Sequence, residues 1–248
     1  MIKRVVIIVA GLLLLSAAAC LLYLFFPPTP KADWNMSPDT PTITVDRLGG
    51  THVEYGYIPD ARVWGDGRII WVEYDSGGRR RVLEGHLSKE EMAQLINQFI
   101  GAGFFKGYRR FNWGGVLGPY VDIRLSNAHH MVAIGGTSDY DNKSVLDLVA
   151  LVKSGAGTEG VTFTPTEGTL YVFPREDVDV PPDAQASFQW PDEEFGYGLE
   201  QAYELGGEID ITGKELTFAW EIVSYPTPLV ESGGQVYWIA VVVPGVTL

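Results

Sequence analysis

Ala61-Arg62-Val63-Trp64-Gly65-Asp66-Gly67-Arg68-Ile69-Ile70-Trp71-Val72-Glu73-Tyr74 sets two runs of β-branched and aromatic residues on either side of a Gly-Asp-Gly. Such runs suit a pleated, half-buried backbone, and Asp-Gly supplies the positive φ angles of a type I′ hairpin turn. The stretch reads as a hairpin of Ala61–Trp64 with Arg68–Tyr74. Asp75-Ser76-Gly77-Gly78 is a second turn leading into a third strand, Arg79 to Gly85, and the three strands make an antiparallel meander. Upstream, Thr42 to Val45 and His52 to Ile58 read as short strands broken by Gly49-Gly50, with Pro59 ending the second.

Downstream of the meander the hydrophobic period changes from two to 3.6. Ser88-Lys89-Glu90-Glu91 has the capping-box spacing, and Met92, Leu95, Ile96, Phe99 and Ile100 follow on one helical face. Gly101 or Gly103 stops this helix before Phe104-Phe105. A second hairpin, Tyr120 to Leu125 with Met131 to Ile134, alternates Val121, Ile123 and Leu125 against Asp122 and Arg124, which predicts one buried and one wet face. Ser144 is placed to cap a helix running to Val152, with Asp147 three residues on and Gly155 beyond its end. Farther on come a strand at Thr169 to Phe173, a polar Pro-rich loop to Pro191, a helix at Glu193 to Leu205 and another at Lys214 to Val223. The final run, Gln235 to Val243, is apolar on both faces and belongs in the middle of a sheet.

The N-terminus adds a compartment. Met1-Ile2-Lys3-Arg4 precedes an uncharged stretch, Val5 to Phe26, long enough to cross a hydrocarbon core of about 30 Å as a helix, with the two cations favouring a cytoplasmic N-terminus. A cleaved signal peptide at Ala17-Ala18-Ala19 or a lipidated Cys20 are the rival readings. The apolar run continues past both, and all three readings put the rest outside the cytoplasm. Prolines 27, 28, 30, 38 and 41 then make a stiff spacer that should hold the domain off the bilayer. The expectation is an α+β protein in which antiparallel hairpins pack with a few short helices, preceded by one N-terminal transmembrane helix. Its parts are residues 1–26 as membrane segment, 27–41 as spacer and 42–248 as a single extracytoplasmic domain.

Pro59-Asp60-Ala61-Arg62-Val63-Trp64-Gly65-Asp66-Gly67-Arg68-Ile69-Ile70, Leu87-Ser88-Lys89-Glu90-Glu91 and Gly101-Ala102-Gly103-Phe104-Phe105 together resemble a pattern in uncharacterised bacterial exported proteins, many of them lipoproteins. The resemblance covers roughly residues 55 to 155. It implies an envelope location and carries no activity.

Charge divides the chain. Residues 27–155 hold 14 Lys and Arg against 15 Asp and Glu, a net of −1, whereas residues 156–248 hold 2 against 16, a net of −14. So acidic a domain is a poor partner for nucleic acid, and Arg79-Arg80-Arg81 reads instead as a solvated edge strand. The only cysteine, Cys20, lies in the apolar segment, so no thiolate site or disulfide is expected beyond it. His52, His86, His129 and His130 include no His-x-x-x-His pair, and adjacent His129 and His130 on a strand point to opposite faces. Gly-x-Ser-x-Gly, Ser-x-x-Lys and phosphate-loop motifs are absent, and no cofactor is expected. Two constellations remain. Glu176, Asp177, Asp179 and Asp183 form an acidic loop that could hold a divalent cation, or supply a carboxylate pair to a hydrolase. Tyr108, Phe111, Trp113 and Tyr120, set among glycines, could line a sugar or peptide groove. The composite expectation is a membrane-anchored binding module, held by residues 5–26, for a protein or cell-wall component. A carboxylate-dependent hydrolase and a weak divalent-cation binder are the alternatives.

Overall fold

The computed structural model describes residues 30–48, 56–106, 118–133, 143–178, 180–181 and 184–247. The class is α+β. Seven strands are in the first sheet: β1 (Pro41–Leu48), β2 (Ala61–Trp64), β3 (Arg68–Tyr74), β4 (Arg80–His86), β5 (Gly118–Leu125), β6 (Ala128–Ala133) and β7 (Val161–Thr162), in the order β6-β5-β1-β2-β3-β4-β7, every pair antiparallel. The second sheet holds β8 (Glu167–Pro174), β9 (Phe188–Gln189), β10 (Glu208–Thr212), β11 (Leu229–Ser232) and β12 (Gln235–Val242), in the order β10-β8-β12-β11-β9. Only its β9–β11 pair is parallel. The helices are α1 (Lys89–Gly101), α2 (Lys143–Lys153), α3 (Asp192–Phe195), α4 (Leu199–Glu204) and α5 (Gly213–Ile222).

Side-chain alternation on β3 explains the layering. Ile69 and Trp71 point to one face, where they join Phe99 of α1 and Val145 and Val149 of α2 in one core. Ile70 and Val72 point to the other face and join Leu170, Ile239, Ala202 and Leu216 in a second core. Both faces of the central strands are therefore buried, and the second core draws side chains from both halves of the sequence. β12 lies between β8 and β11, with Tyr237, Ile239 and Val241 at 2% exposure or less, as its apolar run requires.

The meander forms in the expected register, but its turn differs. Gly67 alone has positive φ (99°), its amide bonds to the Trp64 carbonyl (3.0 Å), and Val63 pairs with Ile69. This is a three-residue loop closed by a left-handed glycine, not a type I′ turn, because three residues leave Asp66 free to stay at negative φ. Ser88 caps α1 with both halves of the capping box, Ser88 Oγ accepting from the Glu91 amide (3.2 Å) and Glu91 Oε2 from the Ser88 amide (2.7 Å). Ser144, by contrast, lies inside α2, which starts at Lys143; Asp147 serves an ion pair with Lys143 at 2.7 Å. The helix expected over Glu193–Leu205 breaks at Gly196 (φ 80°) into α3 and α4. Of the strand expected at His52–Ile58, residues 52–55 lie outside the described residues, and 56–58 are a turn and irregular chain.

The spacer is the largest correction. From Pro30 onward it does not stand clear of the domain. Ala32 and Trp34 pack against the first core, Trp34 Nε1 donates to the Gly65 carbonyl (2.8 Å), and the Ser126 amide donates to the Asp33 carbonyl (2.7 Å). Gly65 has no room for a Cβ because the Asn35 backbone lies against it. An indole beside an open strand end gains more from burial than from water, and that contact folds the segment back. Val5–Phe26 lies outside the described residues; among those described, no helix is long and apolar enough to cross a membrane.

Candidate functional site

Only part of the two sequence-picked constellations falls on described residues. Glu176 and Asp177 sit exposed in a 3-10 turn, Arg175–Asp177, after β8, while Asp179 and Asp183 lie outside the described residues. Among the described residues no group of three or more His, Cys, Asp or Glu is arranged to hold a metal. Tyr108, Phe111 and Trp113 lie outside the described residues as well. Tyr120 is placed on β5, directly opposite Asp46 of β1.

Tyr120 belongs to a polar patch on the second face of the first sheet. Asp46, 2% exposed, accepts from Tyr57 Oη at 2.5 Å and from Tyr120 Oη at 3.3 Å. Burial and the Asp46 carboxylate push the Tyr57 hydroxyl well above the ordinary phenol value and Tyr120 up to about 12. Burial lowers the Arg62 pKa, opposed by Asp46, and Arg62 Nη1 reaches the Val246 carbonyl at 3.4 Å. Asp122, expected on a wet face, is 5% exposed instead, because Arg124 (3.0 Å) and His129 (2.7 Å) close over it. The adjacent histidines diverge as expected: His130 turns to the other side, edge-on to Phe104 with centroids 5.2 Å apart. Asp46 and Asp122 are one diagonal step apart on the same face, yet each is sealed beneath its own partners. A buried carboxylate held this way is stabilised by charge-assisted hydrogen bonds and orders the strands around it.

The open site lies elsewhere, and the sequence reading passed over it. A groove of about 730 Å³ runs between the β3–β4 turn, β7 and the last turn of α5. Its wall is the Arg79-Arg80-Arg81 run, on the stretch of edge that β7 leaves unpaired; Arg81 stays exposed there as expected, while Arg79 and Arg80 turn to partners across the groove. Arg79 Nε donates to Ser224 Oγ (3.0 Å), and its guanidinium lies 4.8 Å from the Tyr225 ring centre. Arg80 lies 5.9 Å from the Trp220 ring, and its amide bonds to the Ser224 carbonyl (2.8 Å). Arg81 pairs with Glu73 at 2.6 Å and holds that carboxyl below the usual range. The floor is aromatic, Phe163 edge-on to half-buried Trp220 at 5.9 Å, and Thr162, Thr217 and Ser224 add hydroxyls. A concave surface of this volume, apolar below with convergent polar groups at its rim, has the form of a ligand site. Arg79 and Arg80 find their partners about 140 residues later, in α5 and the turn after it, while Arg81 pairs with Glu73 of the neighbouring β3; a local reading sees only their charge.

A second, shallower depression of about 780 Å³ lies beside Phe195, Phe218 and Pro191, with the Lys214–Glu194 pair (3.3 Å) at its edge.

No family model, no curated protein and no solved structure matches this chain.

Proposed function

We propose that this chain is a membrane-anchored binding module displayed outside the cytoplasm, whose groove between β4 and α5 receives a protein or cell-wall component. The observation that carries the reading is the groove itself, with Trp220 and Phe163 as floor and Arg79, Arg80 and Arg81 as wall. Paired guanidiniums held against aromatic rings are preorganised, so ordering them on binding costs little, and a ligand can exchange its hydrogen bonds with theirs. The Val5–Phe26 stretch supports the anchor, Lys3 and Arg4 support the outward orientation, and the resemblance of residues 55–155 to bacterial exported proteins supports the envelope.

The test is co-sedimentation of the full-length protein, reconstituted in nanodiscs, with purified insoluble cell wall, alongside photo-crosslinking in cells from a probe at Thr162. Binding or adducts that disappear in Trp220→Ala support the reading. Co-sedimentation and adducts that are absent, or unchanged in Trp220→Ala and Arg80→Ala, reject it. A reporter active only outside the cytoplasm, fused after Leu248, checks the topology separately.

A further inference from the structure

The refolded spacer determines how the domain sits on its membrane. The first sheet has two ends. At one lie the start of β1, the Gly65–Gly67 loop, the Ser126–Asn127 turn and the start of α1, since Pro41 pairs with Trp64, Arg68 with His86, and Leu125 with Ala128. At the other lie the end of β1 and the Asp75–Gly78 turn, with Tyr74 opposite Arg80. Seven residues of β3 separate the two, about 20 Å at strand rise. The spacer docks at the first end: Ala32 and Trp34 pack there, and Asp33 bonds to Ser126. The arginine groove opens at the second, being lined by Glu73, Tyr74, Asp75 and Arg79 to Val82.

Between Phe26, the last residue of the apolar stretch, and Ala32 only residues 27–31 remain, three of them proline. The six Cα–Cα steps from Phe26 to Ala32 span at most about 20–22 Å. The headgroup layer takes about 5–7 Å of that. The docked end is thus confined to within about 16 Å of the headgroups, far less than a free 15-residue spacer would allow.

We infer that the domain rides directly on the bilayer, with the Gly65–Gly67 and Ser126–Asn127 turns facing the headgroups and the arginine groove opening away from them. The partner of the groove is then a component beyond the bilayer surface, and lipid is not its ligand. This rests on the anchor reading above.

The experiment uses the full chain in nanodiscs, in a Cys20→Ser background, with a fluorophore at Asn127→Cys or Ser76→Cys and quencher-bearing headgroup lipids. Asn127 and Ser76 are both exposed turn residues. The Asn127 probe is expected to lose most of its emission and the Ser76 probe to keep most of it. Inserting ten Gly-Ser residues between Pro30 and Lys31 should relieve quenching at Asn127 without altering the fold. Equal quenching at the two positions, stronger quenching at Ser76, or indifference to the insertion overturns the inference while leaving the anchor intact. Failure of the unlabelled chain to float with liposomes overturns the anchor reading, and the inference with it.

Discussion

Two glycines in the meander make a matched pair. Gly67 and Gly78 both close turns of the first sheet, and both have positive φ, 99° and 78°. An alanine in the left-handed region costs about 1–2 kcal/mol through its Cβ, and that cost is common to both sites. Their surroundings differ. At Gly78 the new methyl would meet only the Pro226 ring carbon at 3.3 Å, which can yield by a few tenths of an ångström. At Gly67 it would run into the Leu87 carbonyl oxygen, which cannot yield without moving the β4–α1 junction. That junction is also where the Leu87 amide bonds to the Gly67 carbonyl (2.8 Å), and losing this bond adds about 0.5–1.5 kcal/mol. Gly67→Ala should therefore cost about 1.5–3.5 kcal/mol and Gly78→Ala about 1–2 kcal/mol. At about 2–4 °C per kcal/mol for a domain of this size, the first should melt several degrees below the second. Gly67→Val, branched at Cβ, should fall farther still. The assay is thermal unfolding of the detergent-solubilised protein followed by tryptophan fluorescence. Equal shifts for the two alanines would show that the Leu87 carbonyl does not confine the loop.

Deleting Gln235–Leu248 removes the strand between β8 and β11 and, counting Tyr237, Ile239 and Val241 alone, about 4.5–9 kcal/mol of burial. Against a total of about 5–15 kcal/mol this should abolish cooperative unfolding, and a sharp transition near the full-length midpoint would contradict the central placement of β12. Trp34→Ala should cost about 1.5–2.5 kcal/mol, half the value for a fully buried indole, while Trp34→Phe, which loses only the bond to Gly65, should cost about 1 kcal/mol; unchanged melting in both would mean that the spacer is not docked. Tyr57 and Tyr120 have raised folded pKa values, so the stability they contribute is fully present below about pH 10, where the unfolded phenols begin to ionise, and declines above it, the Tyr120 share being lost as pH rises through about 12 and that of Tyr57 declining over a still wider range. Urea denaturation across that range should show a decline that flattens in the Tyr57→Phe/Tyr120→Phe double variant, and an identical decline would remove the Asp46 cluster as its cause.

What the sequence disclosed was local. The Ser88–Glu91 box, the Ala61–Tyr74 hairpin and the two-faced Gln235–Val242 run each carry their instruction within a few residues, and each forms where its pattern lies. β7 and β9 hold two residues each and β11 four, too few to show a period. β10 does alternate, Glu208-Ile209-Asp210-Ile211-Thr212, and that signal was available. The groove was hidden for a different reason: Arg79 faces Ser224, and Arg80 faces Trp220, partners that only tertiary folding brings near. Asp122 shows the same principle in reverse. Its polarity predicted exposure, and the cross-strand His129 with Arg124 buried it. Tryptophan in a proline-rich segment was the missed cue to the spacer, because a linker that must stay solvated gains nothing from an indole.

β1 has a mechanical consequence. It enters the first sheet directly from the docked spacer and pairs on both sides, with β2 along Pro41–Val45 and with β5 along Ile43–Leu48. A pull on the chain from its N-terminal side, once the Trp34–Gly65 and Asp33–Ser126 contacts have yielded, is applied at its first residue and runs along its axis. The ladder bonds to both neighbours lie across that axis, so they share the load in shear and must yield together, whereas a strand peeled from an edge would release them one at a time. The path from the docked segment to the groove runs along the strands of this sheet, the direction in which an antiparallel sheet resists extension best.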